Sequence, residues 1–296
     1  MVENTDTTQS EETPSFFAPR RKQFLLGRRG TVASTVSTVV IIGGLVAAYY
    51  LAPGGADVRR SFFNTHDMWE SLVGNHYKSL NSVGDGFLIN IRIFLIAEVF
   101  ILTFGLTLAW TRMTKSPVMM PFRILAVVYS DIFRGIPVLL VFLLIGYGVP
   151  GLQLGFISSQ SPEVYSGVAL ILTYSAYVGE VFRAGIYSVP HGQIMAARSL
   201  GLTNATTMRR VILPQAVRTV IPPLLNDFIS LQKDTALLSV LGVIESVQAA
   251  TIFQESKFNS SGLVVASILF LVITIPLTRL TDGLIARDRN RRLASS

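Results

Sequence analysis

Seven polar or charged residues lie within otherwise apolar stretches of this chain. Each charged group at the centre of a membrane-spanning helix costs about 2.5–3.5 kcal/mol on the insertion scale, so such groups must face protein or water rather than lipid. These residues could line a hydrated path for a charged solute. Alternatively, they could form ion pairs between helices that only stabilise the packing. The residues are Glu98, Ser175, Tyr177, Glu180, Asp227, Lys233 and Asp234.

The spacing of these residues indicates which of them share a helix face. Asp227 and Asp234 are seven residues apart on one predicted helix, and Lys233 could neutralise Asp234 or a carboxylate of a neighbouring helix. Glu180 lies about one turn after Tyr177. The solute path and the structural ion pair stay open alternatives for Glu98 and Lys233, whereas the polar neighbours of Glu180 favour the path.

Motifs of enzymatic chemistry are absent from the sequence. It contains no H-E-x-x-H, no G-x-S-x-G and no G-x-x-x-x-G-K-[ST] segment. The histidines His66, His76 and His191 fall in predicted loops without ligand spacing. We therefore expect no catalytic residue, no metal site and no cofactor bound by this chain, and any ATP-driven work requires another subunit.

The composition is that of a membrane protein. Of 296 residues, 50% are hydrophobic and only 15% are charged, the mean hydropathy is +0.50, and cysteine is absent. These values argue against a disordered chain, a disulfide-stapled scaffold and an ordinary water-soluble enzyme. The net charge of +7 does not indicate nucleic-acid binding, because most of the basic residues flank apolar runs.

Six membrane spans are predicted, together with the direction of each. The approximate ranges are 32–51, 86–110, 122–149, 164–187, 217–243 and 262–278. With all six crossing, the segments on the side of both termini hold eighteen Lys and Arg residues and the opposite segments hold four. The positive-inside rule therefore places both termini in the cytoplasm.

The chain divides into five predicted parts. Residues 1–29 are predicted to form a cytoplasmic tail, which is disordered at first and basic at its end. An N-terminal transmembrane helix follows at 30–56 and an external loop at 57–84. The main transmembrane domain covers 84–283, and a basic cytoplasmic tail covers 284–296. A cleaved signal peptide is the alternative for the first helix, but its apolar stretch is longer than a signal core and no cleavage-type site follows it.

A cytoplasmic segment between spans four and five has the features of a short exposed helix. Pro190 ends the preceding helix, residues 193–200 suit a helical turn or two with small Ala196 and Ala197, and Gly201 offers the left-handed backbone that terminates it. Such a helix could dock a partner, or it could be an amphipathic connector.

The segment resembles the "EAA" loop of ATP-binding-cassette importer permeases, which reads E-A-A-x-x-x-G and, after nine residues, I-x-L-P. The positions that match are Ala196, Ala197, Gly201, Leu213 and Pro214, whereas Met195 replaces the Glu and Val211 the Ile. Residues 133–137, 175–186, 221–224 and 233–237 are similar to the branch that carries polar amino acids.

This resemblance implies an all-α integral membrane protein: a type I importer (MetI-like) core of five helices, with one extra N-terminal helix, in a bacterial cytoplasmic membrane. It implies a second permease chain, identical or a sister, an extracytoplasmic binding protein, and two ATPase subunits that use ATP and Mg²⁺. Glu180 matches a substrate-site carboxylate of the family. The residues assigned to ATPase coupling are Gln193, Met195, Ala196, Ala197, Leu200, Gly201, Leu213 and Pro214.

Two other functions remain as alternatives. A stand-alone secondary transporter or channel could use the same intramembrane charges, but it usually has two related halves, and residues 1–148 and 149–296 show no repeat. A membrane scaffold would have no use for those charges.

Overall fold

The computed structural model describes residues 28–74 and 81–294, and within these ranges the chain is all-helical, with no β-strand. The predicted all-α class is therefore confirmed. The predicted disordered segment and its basic residues Arg20, Arg21 and Lys22 lie outside the described residues, as do His76 and Lys78.

Twelve α-helices follow one another in the described ranges. They are α1 (Arg28–Leu51), α2 (Gly55–Phe62), α3 (Thr65–Val73), α4 (Val83–Met113), α5 (Met120–Gly135), α6 (Val138–Gly151), α7 (Pro162–Tyr187), α8 (His191–Ser199), α9 (Asn204–Thr207), α10 (Leu213–Asp234), α11 (Ser246–Lys257) and α12 (Ser261–Ala294). A π-helical turn, Met208–Ile212, connects α9 to α10, and a 3₁₀-helix, Thr235–Leu241, follows α10.

The chain consists of two compact units, Met1–Asp57 and Val58–Ser296. The first contains α1, which is long and apolar enough to cross a membrane. In the second unit, α4, α7 and α12 are each long and apolar enough to cross a membrane without a break. Two bent helix pairs bring the total to six spans if each pair crosses once, which agrees with the six predicted crossings.

The break between α5 and α6 lies where the sequence indicates it. The two helices meet at an angle of 108°. Pro137 has no N–H to donate into a continuing helix and disfavours helical geometry at Ile136, whose φ and ψ are −93° and 133°. The second bend, of 51°, separates residues 204–241 from α11 and contains Gly242 in a left-handed conformation.

Helix α7 is the central element of the second unit. Its buried residues Ala169, Leu170 and Val178 pack in one apolar core with Ile101 of α4 and Leu231 of α10.

Glycines allow α4 and α7 to approach closely. A Cβ at Gly105 would lie 2.8 Å from Val178 Cγ1, and one at Gly179 would lie 3.1 Å from the Gly105 carbonyl oxygen. Small residues at such crossings are typical of membrane helix pairs.

Two regions contain more helix than the sequence indicated. The predicted external loop 57–84 contains α3 and part of α2, and α3 packs through Met68 and Leu72 against Val265 of α12. The last span continues as helix through most of the predicted basic tail, as far as Ala294. The prediction of spans depends on long apolar stretches. The helices in the loop and the last part of α12 contain no such stretch, so the sequence did not indicate them.

Candidate functional site

Asp234 at the end of α10 is held by a tyrosine of α7. The Tyr174 hydroxyl donates a 2.7 Å hydrogen bond to Asp234 Oδ2, and the Tyr174 side chain is buried. The rings of Tyr174 and Tyr177 lie 6.2 Å apart, so the predicted site residue Tyr177 is a neighbour of the tyrosine that binds this carboxylate. Tyr174 itself was not among the predicted site residues.

Glu98 and Asp227 come from facing helices. The rings of Phe94 on α4 and Phe228 on α10 pack edge to face at 4.4 Å, and Glu98 and Asp227 are within electrostatic range of each other. Asp227 Oδ2 is buried without a hydrogen-bond partner, and no basic group of the described residues lies within 4.0 Å of either carboxylate. Tyr174, which binds Asp234, also lies within electrostatic range of Asp227. Glu98, Asp227 and Asp234 therefore form one acidic region of the bundle.

Lys233 does not neutralise this acidic region. Its side chain is exposed, and it forms no ion pair with Asp234 or with any other carboxylate in the described part of the chain. Adjacent residues on a helix point about 100° apart, so sequence neighbours need not interact.

Glu180 is surrounded by arginines. Its Oε2 accepts a 2.9 Å hydrogen bond from Arg112 at the end of α4 and lies 3.8 Å from Arg134 Nη1 of α5. Arg183, one turn further along α7, donates to both carboxylate oxygens. Three guanidinium groups around one carboxylate leave a net positive charge, so a solute's ammonium group must compete with arginines for Glu180.

The polar neighbours of Glu180 point in different directions. Ser175 is fully buried, and its Oγ has no hydrogen-bond partner among the described residues. The Tyr177 hydroxyl donates to the carbonyl oxygen of Arg134 at 3.4 Å, and the Arg134 guanidinium lies 6.0 Å from the centre of the Tyr177 ring. Tyr177 therefore lies beside Arg134, one of the arginines around Glu180, whereas Ser175 faces the protein interior.

Sequence reasoning missed a buried carboxylate, Glu245. Its side chain is 0% exposed and caps α11 by accepting hydrogen bonds from the backbone N–H groups of Val247 and Gln248, each at 2.9 Å. The signal available in the sequence was the position of a Glu directly before a helix, where side-chain oxygens satisfy free N–H groups.

Asn90 of α4 connects this cap to two other segments. Its Nδ2 donates to Glu245 Oε2 at 3.1 Å and to Thr235 Oγ1 at 3.2 Å, and its Oδ1 accepts from the Ser246 N–H at 3.2 Å. The side chain is 1% exposed. A fully bonded polar network therefore ties α4 to the end of α10 and the start of α11.

We expect Glu245→Gln to destabilise the protein. The new amide nitrogen would face the N–H groups of Asn90, Val247 and Gln248, which cannot accept a hydrogen bond, and a buried polar atom left without a partner costs about 1–3 kcal/mol. Thermal unfolding of the purified chain in detergent measures the effect. Glu255→Gln, on the exposed side of the same helix, is the control and should leave the melting temperature unchanged. Equal melting temperatures for the two variants would contradict this role.

The predicted coupling segment ends as its sequence indicates. Gly201 has a φ of +78°, its N–H donates to the carbonyl of Arg198, and the Leu202 N–H donates to the carbonyl of Ala197. These two bonds form a Schellman motif, in which a glycine takes the left-handed position. The prediction of a glycine terminator is confirmed.

Helix α8 buries one small residue and presents larger ones to solvent. Ala197 is 6% exposed, whereas Met195 is 50% and Leu200 82% exposed, and Ala196 is exposed as well. Gln193 Oε1 accepts a 2.7 Å hydrogen bond from Gln215 at the start of α10.

Leu213 and Pro214, which are also exposed, begin α10 directly after the π-helical turn. The segment is thus a fixed helix with an exposed face of Met195, Ala196 and Leu200.

One group of potential metal ligands occurs outside the predicted site. Atoms of His66, Asp67 and Glu70 on α3 lie within 4.8 Å of one another. Asp67 already accepts a 2.9 Å hydrogen bond from Asn259, and Glu70 forms a 2.9 Å ion pair with Lys257. These contacts attach α3 to the end of α11 and to the segment that follows it, and we assign the group no metal.

A family model described as "binding-protein-dependent transport system inner membrane component" matches residues 30–289 of the chain. Two permeases of Bacillus subtilis are similar in sequence to this chain. A probable glutamine ABC transporter permease protein is 36% identical over 200 residues, which cover 66% of this chain and 87% of the relative. An arginine transport system permease protein is 31% identical over 196 residues, which cover 66% of this chain and 86% of the relative.

Two solved structures have a similar fold. An amino acid ABC transporter crystallised with histidines superposes with a TM-score of 0.63 at 30% identity, over 69% of this chain and 93% of that one. An inward-facing MetNI methionine ABC transporter superposes with a TM-score of 0.56 at 16% identity, over 76% of this chain and 98% of that one.

Proposed function

Because the chain belongs to the family of binding-protein-dependent transport system inner membrane components, we propose that it is the permease subunit of an ATP-driven importer of polar amino acids. Members of this family are multi-pass inner-membrane transport proteins. The observation that carries the proposal is the match over residues 30–289, together with similarity to permeases named for glutamine and arginine transport.

The proposed complex contains this chain and several partners. A second permease chain, identical or a sister, completes the path, two ATPase subunits bind in the cytoplasm, and an extracytoplasmic binding protein delivers the amino acid. ATP and Mg²⁺ act in the ATPases, since the present sequence has no phosphate-binding loop of its own. Both termini lie in the cytoplasm, and neither catalysis nor nucleic-acid binding is part of the function.

Helix α8 transmits the motion of the ATPases in this proposal. The exposed side chains of Met195 and Leu200 enter a groove on the ATPase, and the Schellman motif at Gly201 fixes the direction in which the helix projects. The hydrogen bond between Gln193 and Gln215 links α8 to α10, which contributes Asp227 and Asp234 to the acidic region. Movement of α8 therefore reaches the solute path through one continuous helical segment.

Glu98, Asp227, Asp234 and Glu180 form the candidate solute path, with Ser175 and Tyr177 on the same helix as Glu180, whereas Lys233 is exposed and pairs with none of these carboxylates in the described residues. An amino acid always carries an α-ammonium group, and carboxylates in a low-dielectric bundle bind that group through charge-assisted hydrogen bonds. The buried Asp227 Oδ2 has no donor from the described residues, which supports its availability to a solute.

Reconstitution into proteoliposomes tests the proposal. We expect uptake of a polar amino acid only when the chain is combined with its ATPase, ATP, Mg²⁺ and the binding protein, and competition by a panel of amino acids identifies the solute. Leaving out the ATPase or replacing ATP with a non-hydrolysable analogue should abolish uptake. Full uptake by the permease alone would instead support a stand-alone transporter and contradict the proposed function.

A further inference from the structure

A cavity of about 280 Å³ lies between α4, α5 and α7, and its charged lining consists of arginines. Arg112 is the second-last residue of α4, Arg123 is in the first turn of α5, and Arg183 is in the last two turns of α7. The C-terminal ends of α4 and α7 and the N-terminal end of α5 therefore meet on one side of the bundle. Since α4 and α7 are long enough to span a membrane, this side lies at the level where hydrocarbon gives way to lipid headgroups.

The cavity has more positive than negative charge. Glu180 is the only carboxylate within 4.0 Å of these arginines among the described residues, and it contacts Arg112 and Arg183. Within residues 28–74 and 81–294, the polar contact of Arg123 is a 3.5 Å hydrogen bond to the carbonyl oxygen of Thr114, which does not neutralise its charge. The three guanidinium groups therefore retain a net charge of about +2 after Glu180 is counted.

One donor in the cavity wall is unsatisfied. Arg112 Nε is buried and has no hydrogen-bond partner among the described residues, although Arg112 Nη1 binds Glu180. A buried N–H without an acceptor is costly, so an acceptor supplied from outside the chain would stabilise this arrangement. The charge and the free donor both indicate an anionic ligand.

The rest of the cavity lining is aliphatic. Ile124, Val127 and Val128 of α5 form it, and Ile124 and Val128 are about half exposed. The exposed apolar surface continues along α5 to Leu125 and Ile132. A small soluble anion would leave this apolar wall uncovered, whereas a ligand with a charged head and a hydrocarbon chain would cover both parts.

We propose that this cavity binds an anionic phospholipid, with the headgroup phosphate on Arg112, Arg123 and Arg183 and the acyl chain along Ile124, Val127 and Val128. Guanidinium groups bind phosphate oxygens through two parallel hydrogen bonds, and basic cavities between transmembrane helices bind acidic headgroups in this way. The inference requires only a membrane-embedded chain and does not depend on which solute the protein carries.

Retention of lipid by the purified full-length chain tests the proposal. The protein is extracted from membranes, exchanged into detergent and analysed by native mass spectrometry with added phosphatidylglycerol. We expect wild-type protein to retain it and Arg123→Gln to retain about tenfold less, as the loss of a charge-assisted hydrogen bond predicts. Arg123→Lys should fall between them, because lysine keeps the charge but not the paired donors.

Lys115→Gln is the matched control, because Lys115 lies in the connection just before α5, is exposed and does not line the cavity. It should retain phosphatidylglycerol as the wild type does. A second arm compares thermal unfolding with phosphatidylglycerol, with zwitterionic phosphatidylcholine and with inorganic phosphate. Phosphatidylglycerol alone should stabilise the wild type.

Three results would overturn the assignment. Equal retention by wild type and Arg123→Gln would show that the cavity is not the lipid site. Equal loss in Lys115→Gln would assign the effect to general surface charge. Stabilisation by inorganic phosphate without phosphatidylglycerol would assign the cavity to a soluble anion.

Discussion

Gly201→Val is expected to reduce solute uptake by about tenfold while the ATPases continue to hydrolyse ATP and the protein still inserts in the membrane. The backbone at Gly201 has a φ of +78°, which a β-branched residue adopts only at a cost of about 1–3 kcal/mol. The Schellman hydrogen bonds to Arg198 and Ala197 would then be lost, and the exposed Leu200 would change direction. We expect uptake in proteoliposomes to fall by about tenfold, because the range of this cost includes the 1.4 kcal/mol that corresponds to a factor of ten.

Gly283→Val is the control for this prediction. Gly283 lies in α12, an added Cβ there would meet no atom within 4 Å, and its φ is not positive, so the same substitution causes no comparable strain. It should leave uptake and its ratio to ATP hydrolysis unchanged. Normal uptake by Gly201→Val would contradict the coupling role of α8.

Glu180→Gln is the second substitution with a large expected effect. It removes the carboxylate that Arg112, Arg134 and Arg183 share and leaves three cations together. Breaking a buried ion pair by removing one partner costs about 3–5 kcal/mol, and the cost should be smaller here because the Glu180 side chain is 23% exposed. We expect a lower melting temperature, and a loss of uptake of about tenfold because a hydrogen bond from the solute's ammonium group to a charged carboxylate contributes about 1.5–3 kcal/mol.

Glu163→Gln provides the comparison. Glu163 also lies on α7, in its first turn, and forms no ion pair in the described part of the chain. It should change neither the melting temperature nor uptake by a comparable amount. Equal effects of the two substitutions would show that Glu180 does not contact the solute.

A double variant separates the structural role of Glu180 from its role in the path. Glu180→Gln with Arg112→Gln removes one charge of each sign, so it should recover part of the lost stability. If Glu180 binds the solute, uptake should stay low and the substrate concentration at half-maximal rate should stay raised. Recovery of uptake together with stability would assign Glu180 to packing alone.

The sequence by itself determined the features that depend on a few consecutive residues. The six apolar stretches, the bend at Pro137 and the glycine terminator at Gly201 all follow from local hydropathy, from the missing N–H of proline or from the conformational freedom of glycine. The short helix before Gly201 is predictable in the same way, because its pattern lies within about twenty residues.

Only the tertiary structure decided which charges meet. Arg112 and Glu180 are 68 residues apart, and Asn90 and Glu245 are 155 apart, so neither contact could be inferred from spacing. Lys233 and Asp234 are neighbours in sequence, yet Asp234 binds Tyr174 of another helix instead. The physical reason is that hydropathy fixes where a helix lies along the membrane normal, whereas its rotation and crossing angle depend on side-chain packing with all of its neighbours.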